Sequence, residues 1–189
     1  FIEKTDEGIK IYFSTRNSEN KSQIGWILVD NKNLFKILKI SKTPLLKLGD
    51  IGFFDYDGTM GCQIINVNEK KILYYIGWNL GVAVPFRNAI GAAFYDSIKN
   101  KFIKISEGPL IDRNIYDKCF VSSNCVIKDK KKYRMYYQSC SKWEYKNDEL
   151  QHYYNIKYAE SLDGINWIIR GHTAIDFKYP MNTRYAYRE

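Results

Sequence analysis

The sequence predicts an all-β fold, and specifically a β-propeller built from four-stranded antiparallel blades. Its apolar runs are 4 to 8 residues long, rich in Ile, Val, Tyr, Phe and Trp, and bounded by Asn, Asp, Gly, Lys or Pro clusters, as is typical of strands and turns. No segment keeps a helical apolar period with helix caps. The runs also recur in a fixed order, as expected when each unit buries its faces by stacking on the next.

A tyrosine phrase marks the second strand of each predicted unit. It reads GIKIYFSTRN, KILYYIGWN and KYRMYYQSCSKW along the chain. The central tyrosines of the three copies are spaced 62 residues apart: Tyr12, Tyr74 and Tyr136. The isoleucines of the following run, the predicted third strand, are spaced 66 residues apart: Ile24, Ile90 and Ile156. This shared register predicts equivalent strands.

Further apolar runs complete the predicted units. First strands are expected at GCQIINV and SNCVIKD, and fourth strands at LFKILKI, KFIKIS and NWIIRG. The predicted blades run from Phe1 to Gly49, from Ile51 to Arg113 and from Ile115 to Phe177, and 178–189 would begin a further blade. A β-sandwich is the alternative, but it predicts no register across four consecutive strands.

Size and composition suit a single domain with a sizeable core, since 45% of the 189 residues are hydrophobic. Three blades do not close a ring, because a propeller normally has at least four. The chain also begins at Phe1 without a methionine. We therefore expect it to be part of a longer protein.

The net charge of +8, from 29 basic and 21 acidic residues, raises the possibility of a nucleic-acid partner. Only seven of the basic residues are arginines, the side chains that contact phosphate through two hydrogen bonds. The run Lys128 to Lys132 lies between two predicted strands and reads as a solvated turn. We expect no specific nucleic-acid partner.

The four cysteines show neither a C-x-x-C pair nor a zinc-like Cys/His spacing, so no metal or cofactor is expected. Free thiols favour a reducing compartment and hence the cytoplasm, although secretion stays open if the true N-terminus is absent. No apolar run reaches the length of a membrane span. Nothing in the sequence indicates an oligomeric state.

Two carboxylates, Asp55 and Asp57, stand directly before the first strand of the second predicted blade, in GFFDYDGTMGC. A strand at this position should run toward the propeller axis, where the loops converge. Cleavage of a glycosidic bond needs two carboxyl groups, one as acid and one as base or nucleophile. A solvated Asp/Gly turn explains the same residues equally well.

Long connections between second and third strands are predicted at 77–91 and 141–157. Each carries a Trp that could stack on a sugar and a polar group that could bind its hydroxyls. These candidates, with one arginine near the end of the first tyrosine phrase, are Arg16, Trp78, Arg87, Trp143 and His152. Packing between blades is the equal alternative for the tryptophans.

Several longer phrases resemble a group of bacterial five-bladed propeller proteins described as glycosidase-like. They include FFDYDGTMGCQII, YYIGWNLGVAVPFRNAIGAA, EGPLIDR and YNIKYAESLDGINW. That group is related in fold to the arabinanase/β-xylosidase and invertase/levansucrase hydrolases. The resemblance covers nearly the whole chain and implies five blades, of which about two would be missing here. Recurring motif positions of the group match Asp55, Gly58, Trp78, Arg87, Trp143 and Tyr158 to Glu160.

Two positions depart from the resemblance. Arabinanase-type enzymes place a catalytic Glu in an EGP phrase that opens a blade, but Glu107 follows a last strand, so it is not taken as the acid. The next blade should open with Glu-Tyr-Ala, but here Arg184 precedes Tyr185. Glu189 is a substitute candidate for the missing carboxyl.

The leading hypothesis is a glycoside hydrolase or glycosyl-transferring enzyme acting on a glycan. Asp55 would be the base or nucleophile, and Asp57, Glu160 or Glu189 would supply the acid. The alternative is a non-catalytic glycan-binding propeller, which needs no acid. A basic scaffold for nucleic acid would explain the charge but not the pair of aspartates.

Overall fold

The computed structural model describes residues 1–176, which contain β-strands and no helix. The all-β prediction is confirmed, and no helix within these residues could cross a membrane. The strands are β1 (Ile2–Lys4), β2 (Ile9–Arg16), β3 (Ser22–Val29), β4 (Ile37–Ile40), β5 (Gly58–Val67), β6 (Lys70–Leu80), β7 (Phe86–Asp96), β8 (Lys101–Lys104), β9 (Phe120–Asp129), β10 (Lys132–Lys146), β11 (Glu149–Ser161) and β12 (Ile168–Ile175).

The described strands are arranged as three antiparallel meanders of four strands. Strands β1 to β4 form the first meander, β5 to β8 the second and β9 to β12 the third, with each strand paired to the next in sequence. A short parallel contact between Ser22 in β3 and Gly58 in β5 joins the first two meanders. Each meander lacks any crossover, so sequence neighbours are also spatial neighbours.

The three meanders share one register between their second and third strands. The equivalent pairs are Ser14 with Ile24, Ile76 with Ile90, and Gln138 with Ile156. Tyr74 pairs with Gln63 on the first strand, and Tyr136 pairs with Cys125, which lies 62 residues further on. Tyr74 and Tyr136 therefore occupy equivalent sites, as the repeat predicts.

The two connections expected to be long loops are largely strand. Strand β6 continues to Leu80 and β7 begins at Phe86, while β10 and β11 form one long hairpin. That hairpin turns at Asn147 and Asp148, whose φ angles are 53° and 61°, as a type I′ turn requires. The expectation of a loop at 141–157 was wrong because this Asn-Asp pair closes the hairpin with only two residues.

Within residues 1–176 the core consists of two apolar layers, one on each face of the second meander. In β6 the residues from Ile72 to Trp78 are all buried, and neighbouring residues point to opposite faces. The layer against the first meander contains Ile24, Leu46, Leu73, Tyr75, Ala93 and Phe102. The layer against the third contains Val67, Ile72, Tyr74, Ile90, Ala92, Ile111, Val121, Val126, Tyr133, Met135, Tyr137 and Ala159. Stacking of meanders is thus the main source of burial.

Candidate functional site

Asp55 lies in the interior of the protein. Its side chain is fully buried, forms an ion pair of 2.5 Å with Lys104 and accepts a hydrogen bond of 3.3 Å from the Tyr75 hydroxyl. Burial and the neighbouring carboxylate raise the pKa of Tyr75, which keeps the hydroxyl protonated as a donor. This position fits a structural anchor, because a sugar in solution has no access to the carboxylate.

Asp117 repeats the arrangement of Asp55 in the third meander, 62 residues further on. It is also fully buried. Its carboxylate accepts hydrogen bonds from Tyr137 at 3.0 Å, from Ser139 at 2.6 Å and from Lys157 at 3.0 Å. The buried aspartate therefore belongs to the repeated unit, where it ties the segment before the first strand to the second strand.

Glu160 lies at the opposite end of the third meander from Trp143 and His152. It pairs with Arg134 across β10 and β11, whereas Trp143 pairs with His152, nine positions away and so roughly 30 Å along the strands. The hydrogen bond from Lys132 and a second from Tyr158 lower the pKa of Glu160. Because of its distance along the strands, Glu160 does not share a catalytic site with these rings. A lowered pKa also does not favour a general acid, whose pKa is usually raised.

Three of the predicted residues meet where β2, β5 and β6 come together. The Arg16 guanidinium lies 5.1 Å from the centre of the Trp78 ring. The Asp57 amide donates to the Trp78 carbonyl at 3.1 Å, and the half-buried Asp57 carboxylate accepts a hydrogen bond of 2.8 Å from the Leu80 amide. Gly58 is required here, because a Cβ would lie 2.3 Å from the indole nitrogen.

Trp143 and His152 belong to an aromatic cluster, defined here as Phe86, Phe120, Trp143 and His152. The ring centres of Trp143 and His152 are 5.0 Å apart, and Phe86 lies 5.3 Å from Trp143. Phe120 lies 5.6 Å from His152. Trp143 and His152 are half-buried. The cluster thus presents aromatic surface between the second and third meanders.

The Trp78 group and the aromatic cluster lie at the same end of the sheets. Trp78 pairs with Asn88 across β6 and β7. The Asn88 side chain donates to the Ser122 hydroxyl at 3.3 Å, and Ser122 lies two residues after Phe120. The structure therefore brings five predicted residues to one end: Arg16, Asp57, Trp78, Trp143 and His152.

Arg87 lies at this end but on the other side of β7. Neighbouring strand residues point to opposite faces, and the adjacent Phe86 belongs to the aromatic cluster. Arg87 instead lines a cavity of about 410 Å³ together with Phe54 and Glu107. The structure thus separates Arg87 from Trp143 and His152. Glu189 lies outside the described residues.

Sequence reasoning missed Phe86 and Phe120. One available signal was the 62-residue register, which places Phe120 at the site equivalent to Gly58, where the Trp78 ring packs. Phe86 lies in β7, opposite Leu80 of β6, in a segment that the sequence analysis expects to be a loop. Its position on a strand face could therefore not be predicted. No cluster of His, Cys, Asp and Glu within residues 1–176 could hold a metal ion.

Burial lowers the pKa of His152 below its ordinary value of 6.5. The unfolded chain therefore binds a proton near pH 6.5 that the folded protein does not bind, and stability should fall as pH drops through the window below 6.5. Between pH 7 and about 5, we expect the melting temperature of a His152→Gln variant to fall by less than that of the wild type. Equal losses in both proteins would contradict this assignment.

The chain is similar to two uncharacterized proteins of Mycobacterium tuberculosis, MT1551 and Rv1502. It is 38% identical to each over 167 residues, which cover 88% of this chain and 55% of each relative. The chain thus spans about half the length of these curated relatives. No protein-family model matches the sequence.

Solved structures share the fold at low sequence identity. A glycoside hydrolase superposes with a TM-score of 0.68 at 13% identity, covering 92% of this chain and 52% of its own. A complex of BT0996 with RGII has a TM-score of 0.65 at 15% sequence identity, and the match covers 96% of this chain and 56% of that one. A thermostable family-43 glycoside hydrolase has a TM-score of 0.59 at 16% identity, and the match covers 89% of this chain and 52% of that one. The chain therefore has a fold found in glycoside hydrolases, in agreement with its resemblance to glycosidase-like proteins.

Proposed function

We propose that this chain forms part of a carbohydrate-active β-propeller, with its meanders as three blades of an expected five. Its glycan would bind at the sheet end that carries Trp78 and Trp143. The observation that supports this most is that the aromatic cluster and the Arg16–Trp78 pair both lie at that end. Aromatic faces pack on the C–H faces of sugars, and arginine donates hydrogen bonds to hydroxyls.

Glycan binding is the activity that the described geometry supports best. Two of the predicted catalytic carboxylates, Asp55 and Glu160, are held by lysines away from the aromatic cluster. The aromatic surface needs neither of them. One structural neighbour, BT0996 with RGII, is a glycan complex, and a carbohydrate ligand for this chain is proposed by analogy with its fold.

Glycosidic bond cleavage is the second candidate, and Asp57 favours it. Asp57 is half-buried, and its amide donates to the carbonyl of Trp78, whose ring lies beneath the Arg16 guanidinium. One oxygen of the Asp57 carboxylate accepts a backbone hydrogen bond, which would hold the group in place as a base. The acid would be a second carboxyl group, and Glu189 remains a proposal for that role.

Replacing Trp143 with alanine is expected to weaken glycan binding by about threefold to tenfold, because a stacked ring contributes about 0.5 to 1.5 kcal/mol. The ligand would first be identified on an array of neutral and acidic oligosaccharides. Isothermal titration calorimetry would then compare the wild type with Trp143→Ala. Unchanged affinity would exclude the aromatic cluster from the binding site.

The matched control for this titration is Trp26→Ala. Trp26 is also half-buried, but it lies in the first meander, where the Lys10 ammonium is 4.6 Å from the centre of the Trp26 ring. It contacts no member of the aromatic cluster. Its replacement should leave glycan affinity within about twofold of the wild type, so a similar loss in both variants would indicate a general effect on folding.

A further inference from the structure

A separate cavity of about 410 Å³ lies beside the β6–β7 hairpin, on the face away from the aromatic cluster. We call it the side cavity. Its walls come from the loop before β5, the paired ends of β6 and β7, and the segment between β8 and β9. The residues on which the argument depends are Phe54, Asn79, Arg87, Glu107, Asp112 and Arg113.

The backbone fixes the wall that carries Glu107 and Arg113. The Ile90 amide donates to the Ile111 carbonyl at 2.9 Å, and the Leu110 amide donates to the Ile90 carbonyl at 2.8 Å. This bridge is antiparallel, so Arg113, two residues after Ile111, runs alongside the start of β7. The segment is therefore held against the strand that bears Arg87.

The charged side chains of the side cavity do not neutralise one another. Arg87, Glu107 and Arg113 form no ion pair with any residue in the described part of the chain. Asp112 accepts one hydrogen bond of 2.7 Å, from the Arg113 amide. All four side chains are exposed. Two guanidinium groups and two carboxylates thus line one cavity with most of their hydrogen-bonding capacity free.

The equal number of positive and negative side chains disfavours a charged ligand. An anion would be repelled by the two carboxylates, and a cation would be repelled by the two guanidinium groups. A neutral polyhydroxyl ring satisfies both, because each hydroxyl can donate to a carboxylate and accept from an arginine. The volume lies within the range of small-ligand pockets, and Phe54 supplies an apolar surface for the C–H face of a sugar.

We propose that the side cavity binds one neutral sugar residue of the glycan, through Arg87, Glu107 and Arg113. This proposal rests on the proposed glycan-binding function and adds a second contact on the other face of the β6–β7 hairpin. Asn79 pairs with Arg87 directly after Trp78, so a glycan that passes the end of this hairpin can reach both places. Glu107 would then be a hydroxyl acceptor in substrate binding.

The test compares Arg113→Gln with the wild type by calorimetry, using neutral pentose and hexose oligosaccharides and uronic-acid oligosaccharides of the same lengths. Loss of a charged hydrogen-bond donor should weaken binding of the neutral ligand by at least about tenfold. Glu107→Gln should weaken it as well. The control Arg170→Gln changes an exposed arginine in β12 and should leave affinity unchanged, with thermal melting used to confirm folding of each variant.

The outcomes separate the side cavity from the proposed function. If Trp143→Ala weakens binding but Arg113→Gln and Glu107→Gln do not, the side cavity proposal is wrong and the glycan-binding proposal stands. If the wild type binds none of the oligosaccharides, both proposals fail. Tighter binding of uronic-acid ligands that depends on Arg113 would overturn the choice of a neutral sugar.

Discussion

Replacing Asp55 with alanine is expected to lower the free energy of unfolding by about 3 to 5 kcal/mol, as for other buried ion pairs that lose one partner. The substitution leaves the largely buried Lys104 ammonium without its counter-ion. It also removes the acceptor of the Tyr75 hydroxyl. Urea denaturation followed by circular dichroism would measure the change. Asp117→Ala should show a loss of the same order, because Asp117 is the equivalent residue.

The matched control is Asp112→Ala, which removes an exposed aspartate between the second and third meanders. Its effect should stay within about 0.5 kcal/mol, apart from a small contribution of its turn hydrogen bond. If Asp55→Ala were as mild as this control, the buried ion pair would not anchor the fold. A catalytic role for Asp55 would then regain support.

Replacing Asp57 with asparagine should lower the rate of glycoside hydrolysis by at least about two orders of magnitude, if the protein is a hydrolase that uses this carboxylate as its base. Asparagine keeps the shape and can still accept the Leu80 amide hydrogen bond. Glycan affinity should therefore be retained. Release of reducing sugar from the array-identified ligand would measure the rate.

Asp50→Asn is the control for this substitution, because Asp50 is an exposed carboxylate in the same connection. It should hydrolyse the ligand at the wild-type rate. A hydrolase whose rate survives Asp57→Asn would have its base elsewhere. If the wild type binds glycan without hydrolysing it, the non-catalytic alternative is the better account.

Strand register was the most predictable part of this fold. Because side chains alternate between the two faces of a strand, a shift of one residue would move each side chain to the other face, so repeated strands must keep the same register. The repeated tyrosine phrase therefore located Tyr74 and Tyr136 correctly. The β10–β11 hairpin differs from the expected loop at 141–157, because the strands continue to the two-residue turn at Asn147 and Asp148, which fits type I′.

The role of Asp55 was harder to predict, because its partners are distant in sequence. The equivalent Asp117 could have been found from the 62-residue repeat. The lysine partners could not be predicted from the repeat, because the lysine that pairs with Asp55 is Lys104 of β8, whereas the one that pairs with Asp117 is Lys157 of β11. A carboxylate before a strand looks the same in sequence whether it faces solvent or a buried ammonium group.

The grouping of the site residues also depended on strand geometry. Trp143 and Glu160 are close in sequence and lie on paired strands, but the length of the hairpin places them at opposite ends. In contrast, Arg16 and Trp78 are far apart in sequence and meet because the meanders stack. Contacts within a repeat follow from its spacing, while contacts between repeats require the packing of the sheets.

The central claim is that glycan binds at the sheet end that carries the aromatic cluster and Trp78. A crystal structure of the protein with its array-identified oligosaccharide would test it most directly. We expect electron density for a sugar ring in van der Waals contact with the Trp143 ring, at about 4 Å. Density only at the opposite end, near Glu160, with Trp143 free of contact, would contradict the claim.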